Sequence, residues 1–265
     1  MEHETAASPD RPTPRLPGHG RAPFLVQNPA GRSALLLIGD HAGCEVPADL
    51  DDLGLPQAQL RRHIGWDIGV AELGAQLSLA LDAVFIAQRV SRLVIDCNRD
   101  PARSDAICTV SDGVVVPGNA ALSDPARQAR VDQIFTPYHQ RIADELSRRA
   151  ARRQPTLLVA LHSFTPVMAG EPRPWRYGVL HLGASPFSAA VLAGLRQHLD
   201  VEAVGDNQPY RMDDTDYTVP HHAVGRGLDY VELEVRQDLL SDAAGVAAAA
   251  GLLAQVLREA VAGQR

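Results

Sequence analysis

The sequence lacks three features that mark common classes of protein: a cysteine framework, a basic block and a long apolar run. Its three cysteines show no Cys-x-x-Cys spacing, which excludes a disulfide scaffold and a cysteine zinc site. The net charge is −7 and no Lys/Arg-rich block is present, so neither nucleic acid nor an anionic membrane is expected as a partner. No apolar run approaches the roughly 18 residues that span a bilayer. We therefore expect a cytoplasmic protein that acts on a small soluble molecule.

Nucleotide-binding motifs are also missing, since no Gly-x-Gly-x-x-Gly or P-loop sequence follows any predicted strand. Residues 1–22 are rich in proline and contain little that could pack, and we predict that they form a flexible N-terminal tail. The hydrophobic content of 45% is enough for a substantial core. Residues 23–265 are therefore expected to form a single catalytic domain.

Apolar runs alternate with amphipathic segments from Ser33 onward. Strands are predicted over residues 34–39, 83–88, 92–96, 156–161, 177–182, 201–205 and 228–235. Helices are predicted over residues 66–82, 125–152, 186–199 and 241–262, with Pro137 kinking or dividing the second of them. This order predicts an α/β fold: a three-layer sandwich around a mixed, mostly parallel sheet.

Two histidines lie where predicted strands end. His41 follows the apolar residues 35–38 and precedes Glu45 by four positions, and His162 follows the apolar residues 157–161. Active sites of α/β proteins lie at the carboxyl ends of their strands. Because two histidines and a glutamate form a common catalytic zinc set, we predict one metal ion, zinc or another divalent cation. The alternative is that each histidine only caps its strand through hydrogen bonds.

Basic and amide side chains lie near a third predicted strand end. Asn98 and Arg99 follow the apolar residues 93–95, and Arg92 precedes them. The guanidinium fork of arginine suits a carboxylate, so these three residues are candidates for binding an acidic substrate. A purely structural ion pair with a neighbouring aspartate is the alternative.

A turn-rich segment over residues 205–210 offers two further candidates for substrate binding. Asn207 and Tyr210 carry an amide and a phenol that can contact a polar ligand. The alternative interpretation of this segment is an ordinary turn.

Apolar and charged residues alternate over residues 231–236, as in a strand with one polar face. Glu232, Glu234 and Arg236 share that face. One glutamate is a candidate general base, with Arg236 close enough to affect it or to contact substrate. Spacing alone does not distinguish the two glutamates, and a solvated face is the alternative.

Six ordered blocks carry a resemblance to a known family. They are residues 39–47, 65–69, 91–99, 161–164, 205–210 and 234–239. From about residue 33 to residue 240 the chain resembles the N-formylglutamate amidohydrolase family. That family is similar to zinc carboxypeptidases, which implies a phosphorylase/hydrolase-like α/β sandwich that holds one zinc ion.

The resemblance also implies roles for individual residues. His41, Glu45 and His162 would be the metal ligands, Asn98 and Arg99 would hold the substrate carboxylate, and Glu234 rather than Glu232 would be the catalytic glutamate. Carboxypeptidases place two residues between their first histidine and glutamate, whereas three lie between His41 and Glu45. Asp40 or Asp67 is therefore the alternative third ligand, or supports the ligands from outside.

The implied activity is metal-dependent hydrolysis of an N-acyl amino acid, with N-formyl-L-glutamate giving formate and L-glutamate. One alternative keeps the site and changes the substrate to another N-acyl amino acid or a small acylated peptide. The other is a protein that binds a carboxylate without turning it over. An intact glutamate beside a metal site argues against that second alternative, because a binding protein needs no water-activating base.

Overall fold

The computed structural model describes residues 21–264, so the predicted tail lies almost wholly outside the described residues. Within them the strands are β1 Phe24–Gln27, β2 Leu35–Gly39, β3 Val84–Gln88, β4 Val110–Ser111, β5 Val114–Val115, β6 Leu157–Phe164, β7 Val167–Met168, β8 Glu171–Pro172, β9 Tyr177–Leu180, β10 Val204–Asp206 and β11 Tyr230–Arg236. The α-helices are α1 Gln57–Leu60, α2 Val70–Leu81, α3 Asp124–Arg130, α4 Thr136–Ala151, α5 Pro186–His198, α6 Thr218–His222 and α7 Ala243–Ala262.

Seven strands form one central sheet in the order β1-β3-β2-β6-β11-β9-β10. The pairs β2/β3, β2/β6, β6/β11 and β9/β10 are parallel, whereas β1/β3 and β9/β11 are antiparallel. Helices α2, α5 and α7 pack on one face, and α4 packs on the other. The predicted three-layer α/β sandwich with a mixed, mostly parallel sheet is confirmed.

Strand β2 shows how the sheet divides the core. All five of its residues are buried, as expected for a parallel strand covered on both faces. Leu35 and Leu37 face the layer of α2, α5 and α7, whereas Leu36 and Ile38 face α4. Because side chains alternate along a strand, Asp40 continues the row that faces α4. This parity decides on which side of the sheet the polar residues beyond the strand lie.

The strand predicted over residues 92–96 is not formed, whereas the long helix is divided near Pro137 as predicted. Residues 92–96 form turns instead of a strand, in which the Val94 N–H donates to the Ser91 carbonyl at 2.9 Å. A short buried apolar run does not distinguish a strand from an irregular segment, which explains this error. The helix predicted over residues 125–152 is interrupted by a π-helical turn, Val131–Phe135, just before Pro137. Such a turn accommodates a residue without a backbone N–H donor.

Helix α7 departs from the expectation that no segment could span a membrane. It has 20 residues and is the one helix of the described chain that is long and apolar enough to do so by length and composition. In the structure its inner face, including Val246, Leu253 and Leu257, is buried against α2 and α5. A helix whose composition would allow it to span a membrane is therefore a core helix in this structure.

A buried ion pair ties α4 to the start of β2. The Arg149 Nε donates to Glu145 Oε1 at 3.0 Å, and two other nitrogens of Arg149 donate to the carbonyls of Ser33 and Leu35 at 3.0 and 3.3 Å. Burial alone would raise the pKa of Glu145, but hydrogen bonds from Arg148, Arg149 and Arg141 lower it to about 2. Glu145 therefore keeps its negative charge beside the buried Arg149.

Replacing Glu145 by glutamine should lower the free energy of unfolding by about 3 kcal/mol, because it leaves the buried Arg149 charge without its counter-ion. Urea unfolding measures the change, with the exposed Glu202→Gln as the control. The wild-type pair stabilises the fold fully above the ordinary glutamate pKa of 4.5, and this contribution is lost as the pH falls toward 2. Equal stability of the two variants would contradict the role given to Glu145.

Candidate metal centre

The two predicted histidines meet at the carboxyl ends of two neighbouring parallel strands. His41 lies two residues beyond the end of β2, and His162 lies near the end of β6. Both are buried, and their ring centroids are 5.0 Å apart. The sequence-based prediction that His41 and His162 converge agrees with this geometry.

Asp67 completes a group of three possible metal ligands. It lies on the loop that precedes α2, and its N–H donates to the His41 carbonyl at 2.8 Å, which fixes the loop against the strand end. Asp67 Oδ2 is 3.6 Å from His41 Nδ1 and 3.0 Å from His162 Nδ1. One ligand atom from each residue lies within 4.8 Å of the other two.

The donor atoms fit a divalent metal ion. Ligands at about 2.0–2.2 Å from a tetrahedral zinc lie about 3.3–3.6 Å from one another, and the two distances to Asp67 Oδ2 are close to this. His41 Nδ1 is buried and has no hydrogen-bond partner among the described residues. Two imidazole nitrogens and a carboxylate oxygen are also the donor types that zinc prefers. The residues present therefore fit the implied ion.

Glu45 is the predicted ligand that the structure does not bring to this group, and Asp67 takes its position as a correction. The Glu45 side chain is 54% exposed and accepts a hydrogen bond from Arg89 at 2.5 Å. Its backbone pairs in an extended conformation, with the Glu45 N–H donating to the Arg89 carbonyl at 3.0 Å. The segment is not helical, so a residue four positions after His41 does not return to the same face.

Gly43 permits this path of the chain. A Cβ atom at Gly43 would lie 2.0 Å from the Arg89 carbonyl oxygen, so only glycine allows the loop to approach so closely. Because the loop passes so close to Arg89, the Glu45 side chain lies at the protein surface.

A carboxylate lies near the outer nitrogen of each imidazole, and the one on His41 is hydrogen-bonded to it. Asp96 Oδ1 lies 2.7 Å from His41 Nε2, and Asp40 Oδ2 lies 3.5 Å from His162 Nε2. A carboxylate on one ring nitrogen holds the imidazole with its other nitrogen toward a metal and makes that nitrogen a better ligand. In both histidines the nitrogen turned toward Asp67 is Nδ1, as this arrangement requires.

Asp40 is itself held from the opposite side. Its Oδ1 accepts hydrogen bonds from the Tyr138 hydroxyl at 2.9 Å and the Thr218 hydroxyl at 2.8 Å, and all three residues are buried. These bonds connect α4 and α6 to a carboxylate that lies beside the candidate ligand His162.

The surroundings of His162 favour positive charge. Burial alone would lower the pKa of His162, but the carboxyl groups of Glu232, Asp40 and Glu234 raise it to about 9. Burial would raise the pKa of Asp40, but the nearby His162 and His41 lower it to about 2. A cation at this position would therefore lie in a favourable field.

A cavity of about 1000 Å³ opens over the group and is lined by His41, Asp67 and His162. Glu234 also lines it, opposite His162 in the parallel register of β6 and β11. Burial raises the pKa of Glu234 to about 7, although His162 and Arg92 act in the opposite direction. A carboxyl group with a pKa near neutrality can both take and give a proton, as a general base requires.

Four of the six predicted substrate-binding residues line the cavity: Arg99, Arg92, Tyr210 and Asn98. Arg99 has one buried guanidinium nitrogen without a hydrogen-bond partner among residues 21–264. Arg92 instead donates to Asp67 Oδ1, which supports the candidate ligand. The Tyr210 hydroxyl accepts a hydrogen bond from Arg173 at 2.9 Å.

Asn98 also lines the cavity, but its side chain is engaged in the fold. Its Oδ1 accepts hydrogen bonds from the N–H groups of Tyr217 and Thr218 at 3.1 and 2.9 Å, and its Nδ2 donates to Asp216 at 3.3 Å. Asn98 thus anchors the start of α6, and Arg99 next to it is left as the group able to bind a ligand.

The remaining two candidates, Asn207 and Arg236, lie outside the cavity lining. Asn207 Oδ1 accepts a hydrogen bond from the His181 N–H at 2.9 Å. Arg236 donates to both oxygens of Asp238 at 2.8 and 3.1 Å. Their predicted contact with substrate is corrected to structural pairing, which the turn and strand patterns could not reveal.

One cavity residue that the sequence did not indicate is His63. Its Nδ1 lies 3.6 Å from Asp67 Oδ1 and has no hydrogen-bond partner in the described part of the chain. Burial lowers the pKa of His63 to about 2, so the ring is neutral. Because His63 follows no strand, its sequence context contained no signal, except that Asp67 lies four positions later.

Comparisons with known proteins show what the chain resembles in sequence and in fold. The model of the N-formylglutamate amidohydrolase family matches residues 33–241. The crystal structure of a gene product from Agrobacterium tumefaciens is similar, with a TM-score of 0.88, 34% sequence identity, and coverage of 92% of this chain and 96% of that one. The N-formylglutamate amidohydrolase from Ralstonia eutropha has a TM-score of 0.66 and 20% identity, over 91% of this chain and 98% of its own. No curated protein sequence matches the chain.

Proposed function

The chain belongs to the N-formylglutamate amidohydrolase family, and we propose that it is a zinc-dependent hydrolase of N-acyl amino acids that converts N-formyl-L-glutamate to formate and L-glutamate. The observation that carries the proposal is the convergence of His41, Asp67 and His162 at a cavity that also contains Glu234. A cytoplasmic location stays a prediction from the sequence.

His41, Asp67 and His162 would hold the ion. When bound, zinc would supply polarisation of the scissile carbonyl and a lowered pKa for a water molecule. Asp96 beside His41 and Asp40 beside His162 would keep each imidazole with its Nδ1 toward the ion. Arg92 donates a hydrogen bond to Asp67 and would hold this carboxylate in place.

Glu234 is the proposed general base. It is 5% exposed and its Oε2 has no hydrogen-bond partner among the described residues, so this oxygen is free to take a proton. Glu234 would take a proton from the attacking water and pass it to the amine that leaves as the amide bond breaks. The products, a carboxylic acid and an amine, then carry all the atoms of the substrate and water.

Arg99 is the proposed anchor for a substrate carboxylate. Arg99 lines the cavity and has one guanidinium nitrogen without a hydrogen-bond partner among the described residues, and a carboxylate is the group that an arginine fork binds best. Arg61 and Arg211 also line the cavity and are candidates for binding a second carboxylate, whereas Arg62 is paired with Asp112. N-formyl-L-glutamate has two carboxylates.

The proposal predicts formate release from N-formyl-L-glutamate by the purified protein. Treatment with a chelator should abolish the activity, and adding Zn²⁺ back should restore it, because the ligand group holds a cation that the reaction needs. Measuring formate before chelation, after it and after return of zinc checks this result. Activity that is unchanged by a chelator able to strip the metal would contradict a metal-dependent reaction.

The volume of the cavity, about 1000 Å³, favours one related function, the hydrolysis of N-acyl amino acids with a larger acyl group. It lies at the upper end of the range of about 300–1000 Å³ for sites that bind drug-sized ligands, so an acyl group larger than formyl also has room. Parallel assays with N-acetyl-L-glutamate and a short N-acyl peptide separate these substrates. Tight binding of glutamate without hydrolysis of any acyl derivative would instead indicate a carboxylate-binding protein.

A further inference from the structure

Glu232 is a second buried glutamate on the cavity wall, and the proposed reaction does not use it. It is 3% exposed and lies two residues before Glu234 on the same face of β11. Its Oε2 has no hydrogen-bond partner among the described residues. A function for this carboxyl group must therefore come from something that enters the cavity.

No described neighbour of Glu232 forms a hydrogen bond with its Oε2, although His162 lies close enough to interact with its charge. In the sheet its partners are Ala160 on β6 and Leu180 on β9, whose side chains are apolar. Burial, with the nearby acidic groups Asp216 and Glu234, raises the pKa of Glu232 to about 8, although His162 opposes this. A buried carboxyl group without a partner destabilises a fold, and an apolar residue of similar volume would pack at this position.

We propose that Glu232 is a substrate-binding residue whose carboxyl oxygen accepts a hydrogen bond from the N–H of the scissile amide. The inference rests on the proposed function, because N-formyl-L-glutamate offers this N–H as its nitrogen donor. A carboxyl group keeps an acceptor oxygen whether or not it is protonated, so the role holds in both states. By accepting this hydrogen bond, Glu232 holds the amide nitrogen in place while Glu234 transfers the proton from water to that nitrogen.

The test compares two substrates that differ only at the amide nitrogen: N-formyl-L-glutamate and its N-methyl derivative, which has no N–H. In Glu232→Leu the preference for the parent amide, measured as the ratio of the two kcat/KM values, should fall about tenfold. In Glu232→Gln most of the preference should remain, because the side-chain carbonyl still accepts. The ratio is insensitive to a general loss of active protein, since both substrates are measured on the same sample.

Thermal unfolding provides the second readout. Glu232→Leu should leave the Tm unchanged or raise it, because it removes a buried group without a partner. Glu145→Gln is the matched control, a buried glutamate with partners, and should lower the Tm. If the leucine variant does not fold, Glu232→Met repeats both measurements with a more adaptable side chain.

The outcomes separate the two proposals. An unchanged substrate ratio in Glu232→Leu, with wild-type formate release intact, overturns the role of Glu232 alone. Absence of formate release by the wild-type protein overturns the proposed function and this inference with it. A reduced ratio together with an undiminished Tm supports Glu232 as a substrate contact.

Discussion

Replacement of Asp67 by asparagine should remove the metal from the protein and with it nearly all hydrolysis. Asp67 Oδ2 lies 3.6 and 3.0 Å from the inward nitrogens of His41 and His162, and it is the anionic member of the proposed ligand group. Loss of an outer group that only orients a ligand already weakens metal binding about 10–100-fold, and loss of a ligand should exceed the upper value. Metal content after dialysis, measured by mass spectrometry, checks the prediction.

Glu45→Gln is the matched control for Asp67→Asn. Glu45 is the ligand that the sequence favoured, but its side chain is half exposed and pairs with Arg89. The glutamine variant should keep its metal and its activity. If Glu45→Gln loses the metal and Asp67→Asn retains it, the assignment from the structure is wrong. Equal urea stability of the two variants would show that unfolding does not explain the loss.

Glu234→Gln should lower kcat by about 10²–10⁴-fold while the metal content stays at the wild-type value. Glutamine fills the same volume but cannot take a proton, and Glu234 is not in the ligand group. Steady-state kinetics on N-formyl-L-glutamate and metal analysis of the same preparation check both parts. Since substrate contacts remain, KM should change little.

Two results would contradict the role of Glu234. Loss of metal in Glu234→Gln would make it a ligand, and wild-type turnover would show that another group takes the proton. Glu45→Gln again serves as the control, because it removes a carboxylate that pairs with Arg89 outside the cavity. A comparison of the two variants isolates the effect of charge at the cavity wall.

The sheet and the two histidines could be predicted because their signals are local. Each of β2 and β6 is a continuous apolar run, and each run ends in polar residues at the strand terminus. Parallel strands bring their carboxyl ends to one edge of the sheet, so His41 and His162 had to lie near each other if the strands were neighbours. Glu234 followed from the two-residue period of β11 and the resemblance to the family.

The third ligand could not be decided in the same way. His41 and Glu45 are four residues apart, but the chain between them passes close to Arg89 and turns Glu45 outward. Asp67 reaches the histidines because its loop is hydrogen-bonded to the His41 carbonyl. Neither contact is visible in sequence spacing, since each depends on segments distant along the chain.

The sequence by itself determined the α/β class of the fold, the alternation of residues along β11 and the presence of titratable residues at strand ends, because the periods of strands and helices are local properties of the chain. Only the tertiary structure decided that Asp67 joins His41 and His162, that Asp96 and Asp40 lie beside the two imidazoles, and that Asn207 and Arg236 lie outside the cavity lining. These positions are set by loops, whose paths depend on packing against residues far away in the sequence.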